Sequence, residues 1–183
     1  MTVKEVVLLA ATELGIADDV QAYIESESGA GERETKLLVE CFNIVENELA
    51  LDYLPLYAEE EIYTETGAIL FSQLGASVVR ILRVEDEWGN GIKFTLFPVY
   101  LKTQPGKIKV TYTYTPKRKE LNGSSDFVLQ ASPRLLAHGI AAEFSLATGR
   151  FEEAAIWDKK YKDGIEAAYK AAPCKKMRSR RWA

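Results

Sequence analysis

The stretch Lys107-Ile108-Lys109-Val110-Thr111-Tyr112-Thr113-Tyr114-Thr115 alternates without a break. Ile108, Val110, Tyr112 and Tyr114 share one side, and the lysines and threonines share the other. A period of two places every second side chain on the same face of a strand, so this block is a strand buried on one face. The apolar residues on either side of the block recur at helical spacing instead. Strands and helices are therefore segregated along the chain, which makes the fold class α+β and excludes a doubly wound dinucleotide-binding fold.

Two further strands are expected at Ser77 to Val84 and Ile92 to Phe97, joined by Trp88-Gly89-Asn90-Gly91, which supplies the positive φ of a hairpin turn. Shorter strands fit Glu61 to Glu65, Ala68 to Phe71 and Val99 to Thr103, and Gln104-Pro105-Gly106 turns the chain into the alternating block. These connections are too short for parallel crossovers, so the β insertion, residues 59–115, reads as a small antiparallel sheet.

Four helices surround it. The first spans 3–14: Thr2 and Glu5 form a T-x-x-E capping box, Val3, Val7, Ala10 and Leu14 share a face, and Gly15 stops it. Ala17 to Glu25 reads as a short extra turn and residues 26–31 as a mobile loop. The second helix spans 32–53, with Leu37, Leu38, Cys41, Ile44, Val45 and Leu49 as its stripe and Pro55 after its end. Residues 116–126 are polar and read as a loop. The third helix spans 133–148, capped by Ser132 with Pro133 at its first position. The fourth spans 151–172 on a stripe of Ala154, Trp157, Tyr161, Ile165, Ala168 and Tyr169. The expected architecture is a four-helix bundle with a small antiparallel β-sheet inserted between helices 2 and 3. Residues 1–172 form one α+β domain, and 173–183 form a basic tail.

The residues offer little for catalysis. His138 is the one histidine, and it lies among Leu135, Leu136 and Ile140 on a helix. A triad needs a nucleophile and an orienting acid around the histidine, and a zinc site needs more His or Cys than this. Cys41 lies in an apolar stripe, Cys174 near the tail, and neither has metal-ligand spacing. Gly29-Ala30-Gly31 lacks the pattern of a phosphate loop. The acidic runs Glu59-Glu60-Glu61 and Glu85-Asp86-Glu87 are contiguous, which suits a solvated face or strand edge better than a cation site. The chain is expected to be no enzyme, with no catalytic, cofactor-binding or metal-binding residues and no cofactor. It has no apolar run near the roughly 18 residues that span a bilayer, and its start lacks the marks of a signal peptide. An intracellular protein with no membrane contact is the expectation.

Charge is more informative. Residues 1–61 hold 3 basic and 15 acidic residues, whereas 62–183 hold 20 basic and 12 acidic. Lys175-Lys176-Met177-Arg178-Ser179-Arg180-Arg181-Trp182 puts five cations around two apolar anchors and no acid. Arginine forks bind carboxylate or phosphate, and tryptophan supplies contact area. Three readings of this tail stay open: a frayed soluble end, a partner-docking segment and a nucleic-acid contact. Lys117-Arg118-Lys119 is a second basic run, in a loop. An alternative reading joins it with the tail as a nucleic-acid-binding module.

Three stretches carry a resemblance to a known family. They are Lys4 to Gly15, a short helix with a leucine-glycine stop; Leu135 to Ala154, a small-residue helix ending in a tight turn before the next; and Trp157-Asp158-Lys159-Lys160-Tyr161 with the basic tail. The pattern resembles the head–tail connector (adaptor) proteins of tailed bacteriophages, of the tail tubular protein A type. The resemblance implies a virion structural protein of the neck, assembled in the host cytoplasm. It implies a ring, commonly of twelve subunits, between the portal protein and the next tail or neck protein. It also implies DNA passing through the channel without sequence-specific binding, and a subunit that can be monomeric when free. Under it, Lys175, Lys176, Met177, Arg178, Arg180, Arg181 and Trp182 would dock on the portal, and Gly139, Ala141, Ala142 and Ala147 would let helices pack closely. Charge adds that an acidic N-terminal region facing the channel would repel DNA and let it slide.

Overall fold

A computed structural model of the chain describes residues 1–26, 29 and 31–171. Its helices among these residues are α1 (Val3–Glu13), α2 (Ala17–Ser26), α3 (Glu32–Glu48), α4 (Pro133–Ala147) and α5 (Phe151–Ala171). Its strands are β1 (Leu56–Thr64), β2 (Ala68–Leu70), β3 (Ser77–Asp86), β4 (Thr95–Leu96), β5 (Tyr100–Lys102) and β6 (Gly106–Thr115). The α+β class holds, but the expected four-helix bundle with one inserted sheet is overturned. Among the described residues there are five α-helices and two three-stranded antiparallel sheets, and the strands follow the third α-helix.

The additional helix is α2, where the sequence suggested only a short extra turn because its apolar residues are sparse. Val20 alone is buried, while Ile16 and Ile24 pack half-buried against the same core. Gly31, at φ 88°, opens α3 where a Cβ would meet the Asp19 carbonyl oxygen at 2.1 Å, so only glycine fits between α2 and α3. The loop expected over 26–31 is in part helix, since Ser26 ends α2, and in part outside the described residues.

Local signals set the helix ends well. The Thr2–Glu5 capping box forms both ways: the Glu5 amide donates to Thr2 Oγ1 at 3.2 Å and the Thr2 amide to Glu5 Oε2 at 2.8 Å. Ser132 Oγ accepts from the Leu135 amide at 3.1 Å. The expected second helix changes character at its end, where Leu49–Tyr53 form a π-helical turn. Its stripe is also rotated from the expected one. Phe42 is fully buried, and Ile44 is 52% exposed.

The first sheet runs β1-β6-β3 and the second β2-β5-β4. The alternating strand is central, with Ile108, Val110 and Tyr112 buried. The hairpin expected between Ser77–Val84 and Ile92–Phe97 is corrected. Only an isolated bridge, Glu85 to Gly91, continues it, and β4 leaves to pair with β5. The reversal there is tight: the Phe97 amide donates to the Tyr100 carbonyl at 2.9 Å and the two rings stack at 4.5 Å.

Two apolar clusters result. One lies among the helices and includes Val3, Phe42, Leu136 and Ile140; the other lies between the sheets and includes Ile69, Leu101, Val110 and Tyr112. Tyr114 packs against both. The outer face of the larger sheet is solvated, as an antiparallel sheet allows, with Glu59, Glu61, Lys107 and Lys109 beside the exposed rings of Tyr57 and Tyr63. Both its edges are blunted. β3 is bulged between Val78 and Arg80 and between Ile81 and Arg83, and β1 carries Glu60 pointing inward.

Candidate functional site

The features that could do work are surfaces and the contacts that hold them. The first is the junction of α3, α4 and α5. A Cβ on Gly139 would lie 2.7 Å from Val45 Cγ1 and 2.9 Å from Tyr161 Cε2, so α4 meets both neighbours only because this residue has no side chain. Ala141 and Ala142 are buried beside it, whereas Ala147 is exposed. The Tyr161 hydroxyl donates to Glu48 Oε2 at 3.4 Å. Burial, then the nearby Glu143, pushes the Glu48 carboxyl above its usual range.

The second feature is a polar clamp on residues 116–126, the segment that returns the chain from β6 to the helices. Asn43 Oδ1 accepts from the Lys119 amide at 2.7 Å, and its Nδ2 donates to the Lys119 carbonyl at 3.0 Å. Glu46 is 1% exposed; its Oε1 accepts from Ser125 Oγ at 2.6 Å and from the Asp126 amide at 2.9 Å. Its Oε2 is buried without a partner, and burial raises its carboxyl pKa. The chain start joins the same segment: the Val3 amide donates to the Gly123 carbonyl at 3.0 Å, and the Ser125 amide to that of Met1 at 3.1 Å. Sequence reasoning missed this clamp. Its one signal is spacing, since Leu38, Phe42 and Glu46 are four apart and share a buried face.

The expected candidates fall as follows. Lys175, Lys176, Met177, Arg178, Arg180, Arg181 and Trp182 lie outside the described residues, as does Cys174. Of the basic loop, Arg118 pairs with Glu40 and Lys119 with Asp126 at 2.7 Å. Its charge is thus largely answered within the chain. All but Glu87 of the acidic runs are also spoken for. Lys109 and Lys107 hold Glu59 and Glu61, and Arg83 holds Glu85. Glu60 turns inward to accept from the Tyr112 hydroxyl at 2.6 Å and the Gly75 amide at 2.7 Å. Asp86 folds a turn, its Oδ1 accepting from the amides of Trp88 at 3.0 Å and Asn90 at 2.8 Å.

His138 is 9% exposed, with Nε2 unpartnered and 4.0 Å from Glu13 Oε1, and its ring lies 5.7 Å from that of Trp157. Burial pulls its pKa below 6.5 against the pull of Glu13, so the ring is neutral at pH 7. Cys41 is buried, and its thiol is pushed up to about 12 by burial. A thiol that stays protonated is a poor nucleophile. Among the described residues, no three His, Cys, Asp or Glu gather as a metal cluster, and no helix is long and apolar enough to cross a membrane.

A groove of about 610 Å³ runs between α2, α3 and the clamped segment, lined by Tyr23, Thr35, Val39 and Leu121 with Lys36, Glu40, Arg118 and Lys119 at its rim. Thr35 is 1% exposed and its hydroxyl has no partner. Compared with known proteins, the chain matches no family model and no curated sequence.

Proposed function

We propose that the chain is a non-enzymatic assembly protein, a head–tail adaptor of a tailed phage that joins portal to tail and leaves a channel for DNA. The observation that carries the reading is the α4–α5 pair. It lies in the stretch that bears the resemblance, it turns at Gly149 with φ 77°, and Gly139 seats it against α3 at contact distance. A helix pair fixed this firmly is a rigid base from which the cationic tail at the end of α5 can reach a partner. α5 also keeps Phe151 69% and Ile156 58% exposed, apolar area suited to a neighbouring surface. The two-ended charge supports the same reading: an acidic first third shuns nucleic acid while a basic end seeks an acidic protein.

The nucleic-acid-binding alternative is weaker, because Lys119 is held by Asp126 with both side chains largely covered and the chain's net charge is -4. A pull-down on the isolated portal ring tests the proposal. The full chain should bind, and a chain truncated after Ala172 should stay folded and fail to bind. Equal binding by both rejects the tail's role.

A further inference from the structure

We infer that one copy of this chain docks on a second by inserting Trp88 into the groove between α2, α3 and residues 116–126. The inference stands on its own observations and does not require a portal.

The inserting element is the β3 turn. Trp88 is 77% exposed at its tip, beside Glu87. The tip is preorganised. Asp86 Oδ1 holds the amides of Trp88 and Asn90, Asp86 Oδ2 accepts from Asn90 Nδ2 at 3.0 Å, and Gly89 takes φ 81°. A turn whose backbone is fixed before contact loses less entropy when the aromatic residue at its tip binds, which helps such residues serve as anchors. The exposed indole also carries an N–H, a donor only, that needs an acceptor once buried.

The receiving element supplies what this tip lacks. The groove has apolar walls at Val39, Leu121 and the Tyr23 ring, and its volume lies within the roughly 300–1,000 Å³ of pockets that enclose a ligand. Thr35 lines it too, but its hydroxyl is already covered, so the acceptors open to a docked indole N–H are the carboxylates of Glu40 and Glu120. Lys36 and Arg118 at the rim are the complement of Glu87. Their present pairings, with Glu32 and Glu40, are solvent-exposed and cheap to exchange.

The tip cannot reach its own groove. β3 is paired along β6, and Asp86 sits opposite Ile108 while the groove begins past Thr115. That leaves about 23 Å of paired strand between them at about 3.3 Å per residue. Knob and hole are thus different surfaces of one chain. Their contact is heterologous and propagates head to tail, closing into a ring or running on as a filament according to its rotation.

Sedimentation velocity on two variants of the full chain and their mixture tests it. Trp88→Ala lacks the knob and keeps the hole; Arg118→Glu spoils the hole and keeps the knob. Both residues are exposed, and circular dichroism checks that each variant folds. The wild type should form oligomers that grow with concentration, and each variant alone should stay monomeric. An equimolar mixture should give dimers and nothing larger, because one junction remains intact. Glu87→Lys added to Arg118→Glu should restore oligomers. A wild type that stays monomeric up to about 1 mM, the weak end of specific association, overturns the inference. So does a mixture that yields no dimer. Failure on either count leaves portal docking through the tail untouched.

Discussion

Truncating Glu46 tests whether the clamp holds the return segment. In Glu46→Ala, Ser125 Oγ and the Asp126 amide lose their acceptor, one buried and one half-buried. Each orphaned donor costs about 1–3 kcal/mol. The cavity adds to this cost, and the removal of a buried charge whose Oε2 is unpartnered subtracts from it. The expected loss is about 3–4 kcal/mol, or about 6–16 °C in Tm for a chain of this size. Glu46→Gln keeps a carbonyl where Oε1 sits and sheds the charge, so it should cost less than about 1 kcal/mol at neutral pH. The pH dependence has a definite sign. The folded carboxyl titrates above its usual 4.5 because of burial. Its contribution is therefore fully present below pH 4.5 and is lost as pH rises through the folded value. The Gln variant lacks this slope, so its stability relative to wild type should climb with pH. Urea unfolding of both variants across pH 4 to 8, with hydrogen exchange at Asp126 and Phe127, measures each quantity. Equal losses for Ala and Gln, or a slope of opposite sign, would refute the clamp.

Gly139→Ala should destabilise by about 1–2 kcal/mol, since overpacking costs about 1–3 and the better helix former returns about 0.5–1. Val45→Ala should relieve part of that loss, because Val45 Cγ1 is the nearest atom a new Cβ meets, and a double-mutant cycle in urea reads the coupling. His138 should titrate below 6.5 in the folded chain by NMR, where a lone histidine is easily assigned. The unfolded chain then binds the proton first as pH falls, so stability should drop on acidification below pH 6.5, and His138→Gln should flatten that drop. Cys41 should resist thiol reagents in a folded Cys174→Ser background and react fully in denaturant.

What was readable in the sequence was local. The Thr2–Glu5 box, the Ser132 cap and the alternation from Ile108 to Tyr112 each depend on neighbours a few residues apart, and each is present in the structure. α2 was legible only as a short turn, because one buried valine does not make a stripe. The strands of the second sheet were legible at 68–71, 92–97 and 99–103, but their pairing apart from the alternating strand was not, because strands of two and three residues carry no pairing signal. The clamp joins Asn43 to Lys119 across 76 residues and Glu46 to Ser125 across 79, distances over which a single sequence gives no pairing signal. The groove has the same origin, since its walls come from α2, α3 and the clamped segment. The docking residues proposed in the tail rest on charge and on the resemblance alone.

Electron microscopy of the full chain mixed with an isolated portal ring weighs the adaptor account most directly. The account predicts a ring of added density on one face of the portal, with an open channel on the axis and no such ring for the chain truncated after Ala172. Bare portals at saturating chain, alongside catalytic turnover in the purified protein, would contradict it.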